Sequence, residues 1–254
     1  MPINKIENAE ILHAFQAQMK ICAAIPTYNH ADRLDGIIDR LPDGLDALVI
    51  DDGSNPPIAT RSPRATLVRF ERNRGKAEAL KAAFEEAAKR GFTHVITLDA
   101  DGQHPPELAE KFAKAAEKNP ESIIAGVRGF DCSAIPPARK FMNKFSNFWF
   151  RAETGISVAD TQCGYRCYPL AQIARLKMDF GGFVFETELL VKAAWAGVGI
   201  VQLPIPALYD SESLAGSHYK PFADTLKFTA MNTKLFFASL LLPKKTLRKL
   251  ALKK

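Results

Sequence analysis

No stretch of this chain approaches the ~20 consecutive apolar residues that a membrane-spanning helix requires, although 47% of its 254 residues are hydrophobic. The first twenty residues, MPINKIENAEILHAFQAQMK, mix both charge signs and lack the apolar core of a secretory signal. The chain is therefore expected to stay in the cytoplasm. Cysteine is scarce, at Cys22, Cys132, Cys163 and Cys167. Only the last two are close, and no second pair or His-x₃-His completes a zinc set, so all four read as reduced thiols. No Gly-rich GxGxR loop follows the first apolar run, which disfavours a nucleotidyltransferase. Acid is missing from residues 244–254, KKTLRKLALKK, whose six Lys and Arg account for the whole net charge of +6. The remainder is neutral, which argues against a nucleic-acid-binding face.

The most informative segment is HVITLDADGQHPPE, residues 94–107. It closes an apolar β-run on two carboxylates one residue apart. Read as a strand running to Asp99, it would project Asp99 and Asp101 the same way. Two carboxylates that close need a cation between them, and hard oxygen ligands suit Mg²⁺ or Mn²⁺. A second reading is local, since Asp-x-Asp before Pro105-Pro106-Glu107 can cap the following helix.

Strand and helix patterns alternate through the first half. Apolar runs at 21–29, 47–54, 66–70, 94–99 and 122–127 read as strands. Residues 31–41, 75–90 and 106–118 carry helical spacing, with Gly91 closing the second helix. Alternation of this kind predicts an α/β fold with a mostly parallel sheet, whose ligands gather at the carboxyl ends of the strands. Asn29, Asp51-Asp52, Asp99-Asp101 and Arg128 all fall there. Beyond Gly129 come a helix at 138–153 rich in aromatics and bases, the segment ADTQCGYRCYP (159–169), a helix near 186–196, a strand at 199–205, a polar loop at 209–220 and a helical region from Phe222.

The ordered motifs IPTYN (25–29), VIDDGS (49–54), NRGKAEAL (73–80), LDADGQHPPE (98–107), AGVR (125–128), DTQCGYR (160–166), FETELL (185–190) and SHYKP (217–221) resemble those of a family 2 glycosyltransferase of the GT-A (Rossmann-like) fold. The nearest branch is the dolichyl-phosphate mannosyltransferase and polyprenyl-phosphate glycosyltransferase group. The resemblance divides the chain into an N-terminal extension (1–20), the GT-A domain (21–221), and an amphipathic helix with a basic membrane-facing tail (222–254). It implies that Pro26, Tyr28 and Asp52 line the nucleotide pocket. Asp99, Ala100, Asp101 and Arg128 would contact the nucleotide sugar, and Asp99, Asp101 and Gln103 would ligate Mg²⁺ or Mn²⁺. His30 stands where the family often has Glu. Lys76, before a helix, would lie near phosphate, and Lys220, with Ser217 and His218, would close over the diphosphate. Arg128 and Arg139 would hold an acceptor phosphate, for which the guanidinium fork is suited. Asp160 would orient donor sugar or acceptor, and Glu186 and Glu188 would bound or brace the sugar pocket. Asp101, Asp160, Arg128 and Arg139 are thus the expected catalytic set.

The implied reaction is inverting, metal-dependent transfer of a sugar from a nucleotide-diphosphate sugar to a polyprenyl-type lipid phosphate. Transfer to another lipid or a soluble acceptor, and non-catalytic sugar-nucleotide binding, are the alternatives. Expected partners are the donor, the lipid phosphate, a membrane surface held peripherally at its cytoplasmic face and a membrane protein, but no nucleic acid. The apolar stretch KLFFASLLLP (234–243) beside six bases is suited to an anionic leaflet.

Overall fold

The computed structural model describes residues 19–102, 104–129, 137–206 and 221–253; for Ala138 and residues 221–225 it describes the backbone alone. Gln103, Cys132, Ser217, His218 and Lys220 lie outside the described residues.

Seven strands form one sheet: β1 Ile21–Thr27, β2 Asp46–Asp51, β3 Ala65–Arg69, β4 His94–Thr97, β5 Ile123–Arg128, β6 Arg166–Pro169 and β7 Ile200–Ile205. Their order is β3-β2-β1-β4-β6-β5-β7. All neighbours are parallel except β6, which runs antiparallel to both β4 and β5. Successive residues of β1 serve opposite faces, as a pleated strand requires. Cys22 and Ala24 pack into one core, Ala23 and Ile25 into the other.

The second of these cores is covered by α1 (Ala31–Asp39), through Leu34 and Ile38, and α3 (Ala109–Lys118), through Phe112. The first is covered by α2 (Lys76–Lys89), which contributes Leu80 and Ala83 at helical spacing. A longer helix, α4 (Pro137–Thr154), borders that side with Phe150. A single turn, α5 (Leu170–Ile173), leads on to α6 (Phe185–Ala196), which is buried through Phe185 and Thr187–Ala193, its charged Glu188 and Lys192 included. The last helices are α7 (Pro221–Leu241) and α8 (Lys244–Ala251).

Three features differ from the sequence reading. First, β4 stops at Thr97, so Asp99 and Asp101 stand in the turn beyond it and strand alternation does not set their directions. Second, residues 166–169 form a strand that the pattern did not reveal. All four are buried, so no inside–outside alternation marks them. Third, the basic terminus is a docked helix rather than a free tail. Leu247 and Ala251 of α8 are buried, Lys177 donates its backbone N–H to Ala251 at 2.8 Å, and Lys253 does the same to Arg175 at 2.8 Å. Preceding it, α7 buries Phe228, Met231 and Leu235 in the first core. Among the described residues, no helix is long and apolar enough to cross a membrane.

Candidate active site

Parallel strands put their carboxyl ends on one edge, and the antiparallel β6 starts at that same edge, with Arg166 opposite both Thr97 and Ala125. The segment entering β6 (Asp160–Tyr165) is thereby delivered to the ends of β4 and β5. Thr97 fixes it by donating its hydroxyl to the Gly164 carbonyl at 2.6 Å.

The centre is a three-part ion cluster. Lys76, the first residue of α2, places Nζ 2.7 Å from Asp99 Oδ1 and 2.9 Å from Glu186 Oε2. Burial would raise the Asp99 carboxyl, but the Lys76 charge outweighs it and holds the group below the usual carboxylate range. Burial would likewise weaken the ammonium, yet Asp99 and Glu186 together hold its pKa above the ordinary lysine value. Gly164 closes over this cluster. A Cβ there would meet Asp99 Oδ2 at 2.9 Å, Lys76 Nζ at 3.2 Å and Glu186 Oε1 at 3.4 Å. Lys76 is thus engaged by two carboxylates, and Glu186 braces it from the start of α6.

Asp101 sits half-buried in the turn, whose backbone is pinned where Arg33 Nη1 donates to the Asp101 carbonyl at 2.8 Å. Ala100, between the two carboxylates, is buried in the second core. Among the described residues, no three His, Cys, Asp or Glu side chains assemble into a metal-binding group. The donor chemistry nevertheless fits a hard cation. Asp99 is held ionised and Asp101 lies two residues on, so phosphate oxygens and water would complete the shell.

A second ion pair lies beside the first. Asp160 is fully buried and Arg128, the last residue of β5, is 13% exposed. The carboxylate accepts from Arg128 Nε (2.7 Å), Nη2 (3.0 Å) and backbone N–H (3.2 Å), and from the Gln162 N–H (3.2 Å). Three of these four hydrogen bonds come from Arg128, so the Asp160 carboxylate fixes the direction of that guanidinium. Helix α4 supports this segment along one stripe. Asn147 accepts from Thr161 N–H at 2.9 Å, and Asn143 and Asn147 donate to the Ala159 carbonyl at 3.2 and 2.6 Å. Arg139 lies one turn before Asn143 on the same helical face.

Asp51 and Asp52 divide their work. Asp51 is buried and tied to Arg69, to the Ser54 N–H (2.8 Å) and to the Ile58 N–H (3.3 Å). Asp52 accepts from the N–H groups of Arg74 (2.7 Å) and Gly75 (2.8 Å), holding the loop that opens α2. Directly after them Gly53 takes φ +76°, and a Cβ there would collide with the backbone of Arg72 and Asn73, so the turn requires glycine. Both Asp52 oxygens thus accept from backbone within the protein, which makes it a brace of the loop that opens α2. Pro26 and Tyr28 are half-buried at the end of β1. Glu188 does not reach the site: it is fully buried and accepts from the N–H groups of Asp179 and Phe180, each at 2.9 Å.

His104 is buried behind the Asp101 turn, with Nε2 3.9 Å from Cys163 Sγ and Nδ1 unpartnered. Burial pushes its pKa down to about 4, so it is neutral. Cys22, Cys163 and Cys167 are buried free thiols. Sequence reasoning missed Arg33, Gly164, the Asn143/Asn147 stripe and the buried Arg166, which donates to the carbonyls of Glu186 (2.9 Å) and Thr161 (2.8 Å). None of these carried a decisive local signal, because each is defined by contacts with residues distant in the chain.

A parallel α/β sheet with this acidic and basic edge is the architecture of a nucleotide-sugar transferase. The chain belongs to glycosyl transferase family 2, whose model matches residues 22–171. It is 27% identical over 202 residues to an undecaprenyl-phosphate mannosyltransferase of Micrococcus luteus, covering 74% of this chain and 83% of that protein. It is 28% identical over 197 residues to a polyprenol monophosphomannose synthase of Mycolicibacterium smegmatis, covering 71% and 74%. In fold it resembles glucosyl-3-phosphoglycerate synthase from Mycobacterium tuberculosis, crystallised with Mn²⁺, uridine diphosphate and phosphoglyceric acid. That likeness has a TM-score of 0.60 at 17% identity and covers 96% of this chain and 85% of the other.

Proposed function

We propose that this glycosyltransferase moves a sugar from a nucleotide-diphosphate donor to a membrane lipid phosphate, with inversion at the anomeric carbon. The observation that carries the lipid acceptor is the double character of α4. Its Asn143 and Asn147 hold the segment leading to Asp160, with Arg139 one turn earlier in the helix, while Phe141 and Phe148, 65% and 62% exposed, stand on its outer side. Trp149 joins this face to α7 through Phe236, at 5.5 Å between ring centroids. Along α7, Phe237, Leu240 and Leu241 are exposed by 52%, 66% and 72%. Exposed apolar side chains grouped on neighbouring helices mark interaction surfaces, and aromatic rings suit the membrane interface. The names of the relatives, which specify polyprenyl-type phosphates, support the same reading.

In this scheme Arg128, oriented by Asp160, and Arg139 bind the acceptor phosphate. That phosphate is already ionised at neutral pH, so its oxygen attacks C1 without a strong base while the C1–O bond to the diphosphate breaks. Asp99, Asp101 and Gln103 would hold Mg²⁺ or Mn²⁺. When bound, the cation supplies charge compensation for the leaving diphosphate. Lys76 keeps Asp99 ionised, and Lys220 is assigned to closing over the donor. The protein would work peripherally, at the cytoplasmic face.

The test presents the purified chain and Mn²⁺ with a panel of nucleotide sugars, and with polyprenyl phosphate in vesicles or phosphoglycerate in solution. Transfer to the lipid is expected, to be abolished by chelation. Arg139→Ala should raise the acceptor KM and leave donor affinity unchanged. Equal turnover on phosphoglycerate without vesicles would overturn the lipid reading.

A further inference from the structure

At the opposite edge of the sheet from the candidate active site lies a polar cavity of about 450 Å³.

 
Its floor is formed where the chain enters β5 and β7, at Ser122 and at Gly197 and Gly199, and its walls are Gln172 and Arg175 on one side and Arg248 of α8 on the other. We propose that this cavity is a binding site for a phosphate group carried by a larger molecule, gripped between Arg175 and Arg248.

The two arginines come from distant parts of the chain and are brought to one cavity by the docking of α8. The backbone hydrogen bonds Lys177 to Ala251 and Lys253 to Arg175, each 2.8 Å, and the bridge between Leu176 and Leu252 hold that helix in place. Neither guanidinium forms an ion pair or a side-chain hydrogen bond among the described residues, whereas Arg69 and Arg128 beside the active edge are each paired with a buried carboxylate. The one acid lining the cavity, Glu121, accepts a hydrogen bond from the Gln172 amide at 3.4 Å. The lining therefore carries net positive charge, with the Ser122 hydroxyl as a further donor.

The floor is backbone at both glycines, Gly199 being closed to a Cβ by the Ser122 side chain and Gly197 by its left-handed backbone rather than by crowding. A Cβ at Gly199 would lie 2.4 Å from Ser122 Oγ, and Gly197 adopts φ +88° as the left-handed cap of α6. That leaves room for an anion, and two planar guanidinium forks match phosphate oxygens bidentately. The volume falls in the range of small-molecule sites, roughly 300–1,000 Å³, and exceeds what bare phosphate needs. Two sources fit this chemistry. One is the headgroup of an anionic phospholipid, because α8 follows directly on the exposed Leu240 and Leu241 and carries the exposed Lys244 and Lys245. The other is a soluble phosphate ester.

The experiment uses the full chain, with inorganic phosphate as the first probe and phosphatidylcholine vesicles with or without phosphatidylglycerol as the second. Wild type, the pair R175Q/R248Q and the charge-matched pair K244Q/K245Q are compared. Calorimetry should show saturable phosphate binding that weakens about tenfold or more in R175Q/R248Q and is kept in K244Q/K245Q. If phosphatidylglycerol-dependent vesicle binding falls with it, the ligand is a lipid headgroup; if it does not, the ligand is a soluble ester. No saturable phosphate binding by wild type, unchanged affinity in R175Q/R248Q, or an equal loss in K244Q/K245Q overturns the proposal. Phosphate binding is read without any sugar transfer, so it stands or falls separately from the lipid-acceptor reading.

Discussion

Replacing Asp160 with Ala removes a buried carboxylate that four hydrogen bonds enter, three of them from Arg128. The guanidinium left behind is only 13% exposed and has lost the carboxylate that bound its Nε and Nη2. Breaking a buried ion pair from one side costs about 3–5 kcal/mol, because the surviving charge remains desolvated. Arg128→Met should cost a similar amount, since it strands the carboxylate. The double variant removes both charges together, so its cost should fall short of the sum by about 2 kcal/mol. At roughly 2–4 °C per kcal/mol for a chain of this size, each single variant should melt about 10 °C lower. Urea and thermal unfolding followed through Trp149 and Trp195 fluorescence measure all three. Asp160→Asn, which keeps an acceptor oxygen, should fold with a smaller penalty, yet lose acceptor turnover by about 100-fold as Arg128 drifts from its set position. Additive costs in the double variant, or full activity in Asp160→Asn, would refute the role of Asp160 as the residue that holds Arg128.

Two further perturbations separate folding from chemistry. Gly164→Ala places a methyl 2.9 Å from Asp99 Oδ2 and 3.2 Å from Lys76 Nζ, both ends of side chains that can move. The melting temperature should therefore change by only a few degrees while nucleotide-sugar affinity drops about tenfold or more; calorimetry and a melting curve on the same sample check this, and unchanged affinity counts against the ion cluster as the donor edge. Glu153 is buried with neither carboxylate oxygen hydrogen-bonded, and burial pushes its pKa up to about 8. The unfolded chain loses this proton near pH 4.3 and the folded chain near 8, so the folded state binds more protons between those values and stability falls as pH rises through that window. Glu153→Gln should abolish this slope and stabilise the protein at pH 7 by up to about 3 kcal/mol; urea midpoints at pH 5 and pH 8 that shift equally in both proteins would contradict it.

The sequence by itself determined the alternation of strands and helices, because apolar periodicity is a local property that each segment displays whatever surrounds it. It also determined which chemistry stands at the strand ends, since Asp51-Asp52, Asp99-Asp101 and Arg128 follow directly on buried apolar runs. Eight motifs in one order were enough to mark the family, and the match over residues 22–171 bears that out. Ion partners are another matter, being set by contacts between residues far apart in the chain. Lys76 meets Glu186 across 110 positions, and Arg128 meets Asp160 across 32. Those meetings depend on β6 entering antiparallel between β4 and β5, a strand too short and too uniformly buried to show a pattern of its own. Tertiary structure likewise decided that Asp52 braces the loop before α2, that Glu188 belongs to the core, and that the basic terminus docks as a helix. Burial and charge pairing are properties of the assembled fold, and a carboxylate in a sequence carries no record of which cation it will face.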